Sequence, residues 1–214
     1  MNNSDKFPFV CAIGKMGVGT LISPDWVLTA AHVATAADKR RPKIRFGEKE
    51  FDIDKVFIYP GWTDMQPNDI ALIRLTKPVN DIKPAFIYLD SNEAGLEIKF
   101  IGNGGTGTGL KGPAKEDGQW RVATNVVDRV DQFWLFFDFD GPSDSGAIST
   151  ELEGISGPGD SGGPALFERD GKIFVTGVSV FGNPGKKGRG TYGATEGYTR
   201  VSRYSVWISK TINK

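Results

Sequence analysis

Apolar residues along this chain fall in short runs, not at helical spacing. Phe9–Ile13, Val18–Ser23, Trp26–Thr29, Lys43–Phe46, Phe51–Tyr59 and Ile70–Leu75 are rich in Val, Ile, Leu and Phe and are bounded by Gly, Pro, Asn or Asp. The same pattern resumes at Ile98–Gly102, Trp120–Val130, Phe133–Phe139, Pro164–Glu168 and Lys172–Val180. Many short strands between turn signals predict an all-β sandwich or barrel. Ser23-Pro24-Asp25 and Arg169-Asp170-Gly171 are predicted tight turns. Helical pattern is confined to two places. An alanine-rich turn begins at Ala30, and from Val201 to Ile212 the residues Tyr204, Trp207, Ile208 and Ile212 line one face, with Ser202 in position to cap the start.

Composition narrows this picture. With 26 basic and 26 acidic residues in 214, the chain has no bulk charge with which to attract nucleic acid or an anionic membrane. Lys186-Lys187-Gly188-Arg189 is expected to be a solvated loop. The longest apolar run, Phe133–Phe137, is far below the ~20 residues that span a bilayer. Met1–Lys6 has no basic region followed by an apolar one, so the chain as it stands is expected to carry no export signal. That implies a cytoplasmic protein if the chain is complete, and a secreted or periplasmic one if a signal was removed. Cys11 is the only cysteine, which excludes an internal disulfide and a cysteine-rich metal site, and no metal or cofactor is expected. Gly102-Asn103-Gly104-Gly105 lacks the Lys-Ser/Thr pair and helix of a phosphate cradle.

The chemistry concentrates in Gly157-Pro158-Gly159-Asp160-Ser161-Gly162-Gly163-Pro164. Glycines reach backbone angles closed to other residues and turn amide N–H groups outward, so a carbonyl can meet the serine hydroxyl and the amides together. Ser161 is the candidate nucleophile. His32 is the only imidazole, hence the only histidine base near neutral pH, and Asp69 stands at the start of an apolar strand. A second serine, Ser145, stands in the triplet Asp144-Ser145-Gly146, which runs into Ala147 without the second glycine and the proline that follow Ser161.

Taken together, Trp26-Val27-Leu28-Thr29-Ala30-Ala31-His32, Asn68–Leu75 and Gly159–Pro164 resemble the histidine, aspartate and nucleophile motifs of the trypsin/chymotrypsin-like serine proteases. The likeness extends through Gly197-Tyr198-Thr199-Arg200-Val201 to Trp207-Ile208 and covers the chain from about Phe7 onward. It implies two antiparallel six-stranded β-barrels, residues 7–90 and 96–200, with a C-terminal helix at 201–212, all in one peptidase domain spanning 1–214. It also implies a serine endopeptidase with catalytic His32, Asp69 and Ser161 and an oxyanion hole at the Gly159 and Ser161 amides. A polypeptide substrate and a monomer are the expected partner and state. The alternative is a protease-like binding or regulatory module whose active site is not formed.

Departures from the family matter. Val18 and Val33 are expected where many relatives carry a disulfide beside the histidine. No Ile-Val-Gly-Gly start is present to supply the amine that many relatives pair with the aspartate before the nucleophile, so Asp160 needs another partner. Ile155 occupies the position where trypsin carries the carboxylate that selects Lys or Arg, which argues against simple trypsin specificity. Gly182 is expected to leave the pocket open. Glu196 aligns with the pocket wall and either supplies a displaced charge or faces solvent.

Overall fold

In the computed structural model, residues 6–64, 67–142, 144, 146 and 148–213 are described; the Asp-Ser-Gly serine at 145 lies outside them. The chain runs through β1 (Val10–Ile13), β2 (Gly17–Ser23), β3 (Trp26–Thr29), α1 (Ala31–Arg40), β4 (Ile44–Phe46), β5 (Lys49–Phe51), β6 (Ile53–Ile58) and β7 (Ala71–Leu75). These strands make one curled antiparallel sheet in the order β5-β4-β1-β2-β3-β7-β6. After β8 (Phe86–Ile87) come β9 (Glu97–Gly102), β10 (Gly105–Thr108), β11 (Gly112–Glu116), β12 (Arg121–Val126), β13 (Arg129–Val130), β14 (Trp134–Asp138), β15 (Pro164–Arg169), β16 (Lys172–Asn183) and β17 (Thr195–Arg200). The second sheet runs β12-β9-β15-β16-β17-β14-β13, with β8 joined to β16 by a short parallel pairing. A 3₁₀ turn, Val201–Tyr204, leads into α2 (Ser205–Ile212).

Each sheet buries its inward-facing residues. Cys11, Ile13, Leu21, Val27, Leu28, Ile70, Leu72 and Ile73 are fully enclosed in the first. In the second, Phe100 stacks on Tyr198 at 5.0 Å and meets Phe137 edge-on at 4.8 Å, geometries that suit the aromatic quadrupole. The first core continues across the junction to Leu166, Val175 and Val178 of the second sheet and to Val201, Tyr204 and Ile208. Helix α2 docks back on the first sheet through Tyr59, which packs edge-on against both Tyr204 and Trp207.

Several local expectations need correction. Helix α1 extends for 10 residues, well past the single predicted turn, because Ala31, Val33, Ala34 and Ala37 all find buried places. Lys43–Phe46 and Phe51–Tyr59 resolve into three strands. The glycine-rich stretch after Gly102 holds the β10–β11 hairpin, and β16 runs on to Asn183. Ser202 does not cap α2: its hydroxyl donates to Glu93 Oε1 at 2.6 Å. Glu93 is fully buried and also accepts two hydrogen bonds from the Arg200 guanidinium, at 3.0 and 2.8 Å, so the serine completes an internal ion pair. Among the described residues no helix is long and apolar enough to cross a membrane.

Candidate active site

Asp69 immediately precedes β7, and Asn68 before it adopts a left-handed backbone at φ 75°. Asparagine tolerates that conformation better than most residues. Its side chain is held at both ends, with Nδ2 donating to the Gly61 carbonyl at 2.9 Å and Oδ1 accepting from the Tyr204 hydroxyl at 2.9 Å. So fixed, the chain delivers the Asp69 carboxylate to the start of α1. There Oδ1 accepts the His32 backbone N–H at 3.0 Å while Oδ2 meets His32 Nδ1 at 2.7 Å. The helix has no side-chain cap of its own at Ala30. A carboxylate from 37 residues away takes that place, where the orphan amides and the helix dipole both favour a negative charge. Asp69 is buried, whereas about a third of the His32 side chain remains open to solvent.

Ser161 approaches from the second lobe, ahead of β15. Its carbonyl accepts the Val18 N–H of β2 at 2.8 Å, a direct main-chain bond between the lobes. The next residue, Gly162, has φ +80°, and a Cβ there would collide with Thr29 Oγ1 and the Val18 carbonyl. Only glycine fits so close to the strand that leads into His32. Gly159 also sits at positive φ, +97°. Within this turn the Asp160, Gly162 and Gly163 amides donate to main-chain carbonyls, while the Gly159 and Ser161 amides make no such bond among the described residues.

Asp160 has partners other than an amine. Its Oδ1 accepts the Gly104 N–H at 2.7 Å and its Oδ2 the Gly157 N–H at 2.9 Å, with the Asn103 amide also contributing. Burial nonetheless raises its pKa, an effect these amides and the nearby Arg121 charge oppose. Sequence pattern gave no signal for this arrangement, because it is built from backbone donors. Beside His32, Val18 and Val33 are both buried in the first core, and Gly17 lies against Val33, where a Cβ would come 3.0 Å from Val33 Cγ2.

The pocket residues separate. Glu196 is buried, not solvent-facing, and joins Ser161 and Gly182 in lining one narrow pocket. Ile155 lines a different and larger cavity of about 510 Å³, shared with Arg121 and Asp160, that extends under the second sheet. Ser156 donates to Glu196 Oε2, and a Cβ on Gly182 would collide with Glu196 Oε1. Arg189, which sequence reasoning set aside as part of a solvated loop, lines the Glu196 pocket as well.

Two curled antiparallel sheets with a carboxylate-held imidazole on one and a serine-bearing glycine turn on the other define a chymotrypsin-like architecture. The chain belongs to the trypsin family: the model of the family described as Trypsin matches residues 2–208. It is 29% identical over 254 aligned positions to a CLIP domain-containing serine protease B4 of Anopheles gambiae, covering 97% of this chain and 68% of that protein. It is 26% identical to the urokinase-type plasminogen activator of Gallus gallus, covering 91% of this chain and 50% of that one. Among solved structures it resembles neuropsin, a serine protease expressed in the limbic system of mouse brain, with a TM-score of 0.72, 22% identity and coverage of 96% and 95% of the two chains.

Proposed function

We propose that this protein is a serine endopeptidase that hydrolyses peptide bonds through an acyl-enzyme. The observation that carries the proposal is the paired contact of Asp69 with His32, through both the ring Nδ1 and the main-chain N–H. A carboxylate on Nδ1 leaves Nε2 as the free base, the tautomer required of an imidazole that accepts a hydroxyl proton. In the Ser-His-Asp template, His32 takes the Ser161 proton as Oγ attacks the carbonyl carbon and then returns it to the leaving amine. Asp69 remains ionised and stabilises the imidazolium. The amides of Gly159 and Ser161, which have no main-chain acceptor among the described residues, are the donors for the oxyanion. Water repeats the sequence and releases the acid.

The premise of an inactive binding module was a nucleophile loop left unprepared for want of a partner at Asp160. The three backbone donors around that carboxylate remove the reason for preferring it. Hydrolysis of a denatured protein such as casein tests the proposal. It is expected from the intact chain and expected to vanish in Ser161→Ala and His32→Ala. Cleavage unchanged in both variants overturns it.

A further inference from the structure

The pocket beside Ser161 is shut. Its free space is about 20 Å³, room for about one water and too little for a substrate side chain. Part of its wall is Pro113, from β11, and part is Arg189 and Gly190, from the loop between β16 and β17. These two pieces meet main chain to main chain. A Cβ on Gly190, at φ +67°, would come 2.8 Å from Pro113 Cδ, and one on Gly112, at φ +73°, would collide with the Arg189 carbonyl oxygen. At the hairpin tip the Tyr192 N–H donates to the Gly109 carbonyl at 2.8 Å, and the Tyr192 ring packs where a Gly109 side chain would stand. Glycine at each contact lets the hairpin lie flat on the loop.

The hairpin is lightly held. β10 and β11 pair only with each other, and every residue of β11 after Gly112 is exposed. A two-stranded hairpin is at best marginally stable by itself, and segments with few buried contacts open at the least cost. Among the described residues, the Tyr192–Gly109 bond is the only main-chain hydrogen bond between the hairpin and residues 184–194. The base is anchored elsewhere: the Gly105 N–H donates to the Pro158 carbonyl at 2.7 Å, and the Gly104 N–H holds Asp160. There is also space into which the hairpin can move. The cavity of about 510 Å³ borders both of its strands and shares Pro113, Gly157 and Gly190 with the shut pocket.

We propose that the β10–β11 hairpin is a lid that closes the substrate pocket in the resting protein, hinged at Gly104–Gly105 and latched by the contact of Tyr192 with Gly109. The inference rests on the peptidase function proposed above. Substrate binds only the open form, so its apparent affinity is reduced by the open fraction, while the chemistry at Ser161 is unchanged once substrate is in place. A small fluorophosphonate needs Ser161 and not the pocket, so the lid does not bar it.

The test opens and locks the lid. Thr106 and Lys115 face each other in the hairpin register, so an Asn-Gly turn can join them in place of residues 107–114. This shortened chain is expected to hydrolyse labelled casein with a KM at least threefold lower, a kcat within twofold and an unchanged rate of fluorophosphonate labelling. Should it fail to fold, Pro113→Ala, which removes the ring from the pocket wall, is expected to lower KM in the same direction. For the lock, Pro113→Cys is combined with Gly190→Cys, since a Cβ on Gly190 lies 3.2 Å from Pro113 Cγ and a disulfide is within reach. Its formation, followed by thiol titration, is expected to cut kcat/KM on casein at least tenfold and dithiothreitol to restore it, with labelling unchanged throughout. A KM unmoved in the opening variants, or hydrolysis indifferent to a crosslink that has formed, overturns the inference, and labelling of Ser161 then leaves the peptidase function standing. Absence of labelling in the intact protein overturns both.

Discussion

The Thr199 hydroxyl of β17 donates to the Asp69 main-chain carbonyl at 2.8 Å, across 130 residues of sequence and across the junction between the two lobes. Both residues are buried. The acid that orients His32 is thus held by the lobe that carries Ser161.

Replacing Thr199 by valine keeps the shape and leaves that carbonyl without its donor. An unsatisfied buried acceptor costs about 1–3 kcal/mol. Denaturant unfolding is expected to reveal a loss of that size in Thr199→Val and most of it recovered in Thr199→Ser. If turnover depends on the lobes being locked together, kcat falls with Thr199→Val and recovers with the serine.

A second junction is the Arg200–Glu93 pair, with Glu93 completely buried and the Arg200 side chain 16% exposed. Removing one partner of a buried pair strands the other charge and costs about 3–5 kcal/mol. Arg200→Ala should therefore unfold at distinctly lower denaturant than the surface-pair variant Lys99→Ala, whose partner Glu168 is half exposed. Equal midpoints would mean that the pair contributes nothing beyond a surface one.

Two glycines at positive φ give a matched comparison. Gly171, at φ +68° in the hairpin between β15 and β16, has open space around a hypothetical Cβ, so Gly171→Ala is expected to cost about 1 kcal/mol of backbone strain. Gly162→Ala adds a collision with Thr29 and the Val18 carbonyl, so it should separate the lobes and abolish activity. Circular dichroism melting and a peptidase assay distinguish the two outcomes.

Glu196 also makes stability depend on pH. Its carboxyl titrates near 7 in the folded protein against an ordinary 4.5, so ionisation is disfavoured in the native state. The protein binds more protons folded than unfolded between these values, and stability falls as pH rises from about 4.5 to about 7. Asp160, whose carboxyl burial also raises, acts in the same direction. In urea titrations, the stability of the intact chain relative to Glu196→Gln should decline across that window and level off above it. A flat difference contradicts the assignment.

Sequence carried the strands and the three motifs because each is a local pattern. Trp26–His32 and Gly159–Pro164 are short enough for turn chemistry and alternation to be read residue by residue. What escaped depends on contacts distant in sequence. The amides around Asp160 come from Asn103, Gly104 and Gly157, and no side-chain pattern announces a backbone donor. Ser202 has the composition of a helix cap but is drawn away by Glu93, 109 residues distant. The separation of Ile155 from Glu196 follows from how the loop before Ser161 lies between two cavities, which motif alignment does not encode.

The most direct measurement is mass-spectrometric mapping of a fluorophosphonate probe on the intact protein at neutral pH. A single adduct on Ser161, lost in His32→Ala and slowed by orders of magnitude in Asp69→Asn, is the predicted result, since the acid sets the imidazole tautomer. An unmodified Ser161, or labelling that persists without His32, would contradict the assignment of these residues as a catalytic triad.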